Sequence, residues 1–349
     1  MRRTAAEARA RIVSVVGAIA LLAGACVGSE NASSVDAGND SGGGTSSSGG
    51  PDSGAETAPL PDAPSDVGSN SSGSPEAGGD VASDAVVGNC DPAKPFANAQ
   101  AATSLNSSAD QSNAWLTVDQ LTAFIASTRN PDGGTPTVGE VFVFTRPDTN
   151  SAFAGPQVVP LAPGRGVSSV WLANAEKDVY FGVNGQIYSA TRSTSMSPFG
   201  SGTWTMLTTG AGSVQYNVSV TADEQLLFFD SATGSTGQIY VSQFAATMWG
   251  TPQPFNQAST AAGEGSPVVR ADGLALYFTS NRTGGVGGLD IWVARRTSRS
   301  APFGSPTNLT ELNTSGNEAP AWVSSDDCTI YFARGNTGSR QLYVATRPL

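Results

Sequence analysis

The stretch "SPVVRADGLALYFTSNRTGGVGGLDIWVARR", residues 266–296, decides how the chain is read. Two runs rich in β-branched and aromatic residues flank a glycine-rich loop, Gly284 to Gly288, with Asp290 immediately after it. Taken alone, the loop resembles a phosphate cradle. Such a cradle needs one fixed geometry and leads into a helix, whose first amides hold the phosphate. This loop leads into a strand-like run instead, and its glycines lack the G-x-G-x-x-G spacing.

The same pattern recurs along the chain. An aromatic-bearing pair stands at Phe124-Ile125, Tyr180-Phe181, Phe228-Phe229, Tyr277-Phe278 and Tyr331-Phe332, at intervals of 56, 48, 49 and 54 residues. Five residues before each pair lie Asp119, Ala175, Asp223, Asp272 and Asp326, so only the second unit lacks the acid. After each pair comes a turn and a second run, whose aligned aromatics are Phe142, Tyr188, Tyr240, Trp292 and Tyr343. The interval from the pair to that aromatic is 18, 8, 12, 15 and 12 residues. A slot so variable is a hairpin tip, which makes Asp290 part of the repeat rather than a catalyst.

Each unit of about fifty residues holds an inner strand, the pair strand, a third strand and an outer strand opening on an aromatic. Repeats of this period and patterning are propeller blades, whose radial repetition leaves only short, protected edges. Four outer strands follow the five third strands. The fifth is at the other end: "PFANAQAATSL", Pro95 to Leu105, matches "PFGSPTNLTEL", Pro302 to Leu312, in register. The expected fold is all-β, a five-bladed propeller of four-stranded blades whose last blade is closed by the N-terminal strand.

With those motifs in hand, the stretch at 266–296 resembles the WD-like repeat of TolB-type propellers, roughly S/P-x-x-S-x-D-G-x-x-L-Y-F-x-S-x-R-x-G-G-x-x-D-I-Y/W. The match spans residues 95–349 and is strongest in the fourth and fifth units. The resemblance implies an exported propeller of the cell envelope, usually a binding or scaffold protein. The separate N-terminal domain of TolB has no counterpart here, and five units stand where TolB has six.

The N-terminus carries an export pattern. "MRRTAAEARAR" holds four arginines against one glutamate, and an apolar run follows that is too short for a comfortable membrane span. "LLAGAC" resembles the lipobox of bacterial lipoproteins, which implies cleavage after Ala25 and lipidation of Cys26; the departure is Ala23 where the family usually has leucine. Val27 follows the cysteine rather than aspartate, which in lipoprotein families favours the outer membrane. Val27 to Asn89 has no aromatic residue, no lysine and no arginine but ten acids, a composition that cannot offset its chain entropy by burial. A flexible tether of that length has an end-to-end distance on the order of 45 Å. The expected organisation is a signal peptide at 1–25, a lipidated, disordered tether at 26–89 and the propeller at 90–349.

The acidity belongs to the tether. Of the chain's formal charge of −11, residues 90–349 hold fourteen basic and eighteen acidic residues, a net −4. No basic patch points to nucleic acid. Cys90 and Cys328 are an even pair in an exported domain and a candidate disulfide. Histidine is absent from the sequence, which excludes Ser–His and Cys–His nucleophiles and histidine metal sites. No segment has calcium-loop spacing, and no cofactor or metal is expected.

Two functional classes remain. Glu264 and Glu318 occupy equivalent places, eight residues before the turn aspartate, and Asp110 lies one position from the matching site in the first unit; Val167 and Gln215 fill it in the others. Asp110, Gln215, Glu264 and Glu318 are therefore the candidate ligand-binding residues at the channel mouth of a non-catalytic envelope module for a protein or glycan. The alternative is a carbohydrate-active enzyme using Glu264 and Glu318, because glycoside hydrolases work with paired carboxylates and five-bladed propellers host them. The turn aspartates are expected to bond their own backbone. The arginines ending third strands, Arg146, Arg192, Arg295 and Arg347, are expected to stack or pair between blades.

Overall fold

The structure is a computed structural model that describes residues 90–130, 138–199, 204–207, 214–233, 236–245, 248–257 and 260–349. The expected signal peptide, Cys26 and the tether lie outside the described residues.

Every regular element among the described residues is a strand. The chain opens with β1 (Ala97–Ala101). Blade 1 follows as β2 (Gln111–Leu116), β3 (Thr122–Ser127), β4 (Glu140–Thr145) and β5 (Ala154–Val159). Blade 2 is β6 (Val167–Ala173), β7 (Asp178–Val183), β8 (Gln186–Thr191) and β9 (Thr205–Met206). Blade 3 is β10 (Val214–Val220), β11 (Leu226–Thr233) and β12 (Thr236–Ala245), with its outer position split into β13 (Met248–Trp249) and β14 (Gln253–Pro254). Blade 4 is β15 (Glu264–Val269), β16 (Ala275–Ser280), β17 (Asp290–Arg295) and β18 (Thr307–Asn308). Blade 5 is β19 (Glu318–Val323), β20 (Thr329–Arg334) and β21 (Gln341–Thr346), and β1 supplies its outer strand in the order β1-β21-β20-β19. Inner strands touch in a closed circle, β2 to β6, β10, β15, β19 and back to β2. This is the five-bladed propeller.

The aromatic pair follows from the period of a strand. Successive side chains point to opposite faces, and a blade is covered on both. Tyr277 and Phe278 are both 0% exposed and belong to different apolar clusters, one on each side of β16; Phe229 and Phe228 divide likewise in β11. Burial of each such ring contributes about 1.5–3 kcal/mol. The pair is thus the sequence mark of a sheet with two dry faces.

The turn aspartates cap their own hairpins. Asp119, Asp223, Asp272 and Asp326 accept the amide of the residue two places on, at 3.0, 3.2, 2.9 and 3.0 Å. The residue after each aspartate takes positive φ, and only in blade 4 is it a glycine: Gln120, Glu224, Gly273 and Asp327. Blade 2, lacking the acid, makes its turn from three consecutive positive-φ residues, Asn174, Ala175 and Glu176.

The arginines do more than pair between blades. Arg146, Arg192 and Arg347 donate Nε to the carbonyl of a turn residue, Gln120, Glu176 and Asp327, and lie 4.3, 4.3 and 3.8 Å from the ring centroids of Phe153, Phe199 and Phe96. In blade 4 the equivalent residue is Arg296, which binds Gly273 O and covers Phe303 at 4.4 Å. These staples fix the start of the outer strand to the turn, and two of them also reach a neighbouring blade, Arg347 to Tyr277 of blade 4 and Arg146 to Tyr331 of blade 5. Arg295 instead crosses to blade 5, where its Nη1 is 2.6 Å from the buried Asp327.

The closing strand is shorter than Pro95–Leu105. Asn98 takes φ 54° and the register shifts between Ala97 and Gln100, so only Ala97–Ala101 is strand. The flanks carry the anchors instead. Phe96 and Leu105 are 2% and 0% exposed. Cys90 is joined to Cys328 by a disulfide with 5.8 Å between Cα atoms.

Candidate functional site

All five inner strands carry a register shift near their first residues, at Gln111/Asn113, Val167/Ser169, Gln215/Val218, Gly265/Val268 and Pro320/Trp322. A bulge bends its strand and re-aims the neighbouring side chains. In three blades the residue opening the inner strand meets an arginine at the end of the pair strand.

In blade 4, Glu264 Oε1 accepts from Thr260 Oγ1 at 2.6 Å, Thr260 N at 3.1 Å and Arg282 Nη2 at 3.3 Å. In blade 5, Glu318 Oε1 accepts from Thr314 Oγ1 at 2.6 Å and Arg334 Nε at 3.0 Å, while Oε2 takes Thr314 N at 3.0 Å. Blade 1 has the neutral version, in which Gln111 Oε1 accepts from Ser127 Oγ at 2.7 Å and Arg129 Nη2 at 2.8 Å. Burial pushes the Arg129 guanidinium down to about 10. Burial also pushes Glu264 above the usual carboxylate range, against the pull of Thr260 and Arg282.

Asp110 does a different job. It accepts from Arg340 N at 2.7 Å, Nε at 3.0 Å and Nη2 at 2.5 Å, a clamp between blade 1 and blade 5. Burial alone would raise its pKa; the hydrogen bonds and charge of Arg340 overcome that and hold the carboxyl below its ordinary value. Gln215 is 2% exposed, and its backbone amide donates to Gly185 O at 2.9 Å.

The mouth of the channel holds a cavity of about 470 Å³ on the side of blades 3 to 5. Glu264 and Glu318 line it, together with Asn281, Asn317, Thr337 and Arg340; Asp110 and Gln215 do not. Asp230 contributes from blade 3. It accepts only neutral donors, Asn217 N and Nδ2 and Ser266 N at 2.7, 2.8 and 2.8 Å, and burial raises its pKa. None of the lining residues is aromatic. Among the described residues no group of three or more His, Cys, Asp or Glu could hold a metal ion.

The two glutamates therefore share one cavity, but their side chains are 1% and 0% exposed and each already carries an arginine. A hydrolase pair must touch the glycosidic oxygen and the anomeric carbon or its water. Here each carboxylate is held by a threonine and an arginine. Besides the three carboxylates, the polar side chains lining the cavity are the amides Asn281 and Asn317, the hydroxyls of Ser266, Thr279 and Thr337, and the guanidinium of Arg340. The arginines were legible as S-x-R at Ser127–Arg129 and Ser280–Arg282; Thr337 and Arg340 sit in the tip between β20 and β21, and Asn317 in the link from β18 to β19, without a recurring signal.

No protein-family model and no curated protein matches this sequence. Among solved structures the chain is similar to TolB from Acinetobacter baumannii at 14% identity, covering 70% of this chain and 56% of that one, with a TM-score of 0.41. It thus spans little more than half of the Acinetobacter protein's length. It is also similar to an α-L-arabinofuranosidase from Podospora anserina, at 14% identity over 68% of this chain and 89% of that one, TM-score 0.44. A third likeness is to a gluconolactonase from Xanthomonas campestris, at 11% identity over 67% and 71%, TM-score 0.39. At such identities these likenesses concern the fold and nothing beyond it.

Proposed function

We propose that the chain is a non-catalytic binding module of the cell envelope, taking a protein or glycan ligand at the channel mouth beside blades 3 to 5. One observation carries this reading. Every acid that sequence position marked for chemistry is committed inside the wall, Glu264 to Arg282, Glu318 to Arg334 and Asp110 to Arg340. What remains toward the 470 Å³ cavity is hydrogen-bonding capacity without a nucleophile or a free acid pair.

The envelope assignment rests on the N-terminal signal, with Cys26 as the lipid anchor and the outer membrane as the expected leaflet. The Cys90–Cys328 disulfide suits an oxidising compartment.

A glycan array and an envelope-extract capture, both with the full mature chain, test the reading. Capture should weaken when Asn281 and Thr337 are replaced by alanine and survive Glu318→Gln. Turnover of aryl glycosides that Glu264→Gln or Glu318→Gln abolishes, in chains that keep their fold, would instead establish the hydrolase.

A further inference from the structure

Blade 5 is assembled from two distant parts of the chain, and its outer segment is held like a ligand. Phe96 lies under Arg347, 3.8 Å from guanidinium to ring centroid. Leu105 is 0% exposed. Asn106 makes a two-way amide contact, accepting Leu342 N at 2.8 Å and donating to Leu342 O at 2.9 Å. Between these anchors Asn98 to Ala101 are exposed, and only Ala97, Gln100 and Ala101 find register partners on β21. Recognition sits at the two ends of the segment.

Blade 4 shows that this is a repeated docking code. Phe303 lies under Arg296 at 4.4 Å, Leu312 is 0% exposed, and Asn313 accepts Ile291 N at 2.8 Å and donates to Ile291 O at 3.0 Å. The three anchors have the same spacing in both blades. In blade 4 the chain runs directly from the third strand into this segment. In blade 5 it does not, and any copy of the segment offers the groove the same contacts.

We propose that the closing segment, Pro95 to Asn106, is exchangeable between molecules, and that a second copy of this chain is the partner the outer edge of β21 accepts. Loss of β1 uncovers a row of unpaired N–H and C=O groups, the template on which strands pair between chains. Exchange of an identical element makes every contact again and is a low-cost route to a dimer. The segment's own copy competes at an effective concentration on the order of millimolar through the short link to β2. Cys90 and Cys328 then fix the outcome. A disulfide closed within one chain blocks exchange, and one closed between chains locks the pair.

Complementary variants test this. In a Cys26→Ser background, the Cys90→Ser chain keeps only Cys328 and the Cys328→Ser chain keeps only Cys90. The two are mixed with oxidised glutathione, which takes up the two electrons and two protons of the thiol pair and leaves as two reduced glutathiones. Exchange gives a covalent heterodimer on a non-reducing gel that neither variant forms alone. Leu105→Ala with Asn106→Ala in the chain that keeps Cys90 should lower its yield by about tenfold or more, equivalent to at least ~1.4 kcal/mol of docking. No heterodimer, or one indifferent to those anchors, overturns the proposal. The Cys26→Ser chain with Cys90 and Cys328 intact, refolded oxidatively at increasing concentration, gives a second measurement. A disulfide-linked dimer should grow with concentration, and monomer throughout would overturn the proposal independently of the complementary variants.

Discussion

Blades 4 and 5 hold their outer segments with the same three anchors and differ in one respect, whether the chain connects the segment to the strand beside it. In blade 4 the staple Arg296–Phe303 sits on a continuous loop from β17. In blade 5 the equivalent Arg347–Phe96 contact spans the two ends of the domain, with 251 positions between the residues' numbers. The disulfide stands where the loop would be. A covalent connection and three anchors are thus separable parts of ring closure, and the comparison shows which energy belongs to which.

The largest effect should come from the covalent part. Cys90 and Cys328 are 238 residues apart, and opening a loop of that size costs on the order of 5 kcal/mol in the chain-entropy account. Chemical denaturation of the full chain with and without a thiol reductant should show that loss, and melting should fall by roughly 10 °C. A difference under about 1 kcal/mol would mean that the anchors alone close the ring.

Next come the ties between blades. Arg340→Ala leaves the buried Asp110 without its cation and should cost about 3 kcal/mol. Arg295→Ala at the junction of blades 4 and 5 should cost about 1 kcal/mol, because its side chain is 41% exposed and Asp327 keeps Arg270 and Arg347. Asp110 also gives the closing junction its own pH dependence. Its folded pKa lies below the unfolded value of about 3.9, so its contribution is complete above that value and fades as pH falls through the folded pKa. The stability gap between the native chain and Asp110→Asn should therefore shrink under acid. Asp230 has the opposite sign: its raised pKa makes the folded state favour the protonated form, so acid relieves rather than removes stability there. A gap that stays constant in urea titrations through the acid range would assign the tie to shape and not to charge.

The anchors come third. Asn106→Ala and Asn313→Ala each strand a backbone amide, that of Leu342 and that of Ile291, while the two carbonyls keep Ala102 N and Leu309 N, and should cost about 2 kcal/mol apiece in the oxidised protein. Under reduction the two should part. Asn106→Ala frees β1 alone and opens hydrogen exchange at Leu342, whereas Asn313→Ala leaves Ile291 protected by the connected loop. Equal exchange in both would erase the distinction between the blades.

The architecture was readable from sequence because propeller blades repeat. The aromatic pair states a local requirement five times, the turn aspartate four times, and the match of Pro95–Leu105 with Pro302–Leu312 twice. The match stopped one residue short of its most specific member, since Asn106 and Asn313 stand at equivalent places just beyond it. Arg295 pairs between blades as expected, but the within-blade staple role of its neighbour Arg296 was not legible, because only the sheet register separates two consecutive arginines. The site was less legible. Equivalent positions singled out Glu264 and Glu318, which line one cavity, but the arginine that each meets there could not be read from those positions. Arg340, far from Asp110 in sequence, has no local mark at all.

The smallest effect tests whether the two staples are equivalent once connection is set aside. Arg296→Lys and Arg347→Lys keep the charge and lose the planar fork that binds a turn carbonyl while covering a ring. Lysine over an aromatic ring retains part of the cation–π attraction, so the loss should be about 1 kcal/mol at Arg296, where the staple's contacts are confined to one blade. Arg347 is 7% exposed and also approaches Tyr277 and Asp327 in the hub between blades 4 and 5, with Nη2 3.7 Å from the carboxylate. Its replacement should cost somewhat more, and the excess should vanish when Asp327→Asn is combined with it in a double-mutant cycle. If the excess persists in the cycle, it belongs to the unconnected closing strand itself, and the staple matters more where no loop supports it.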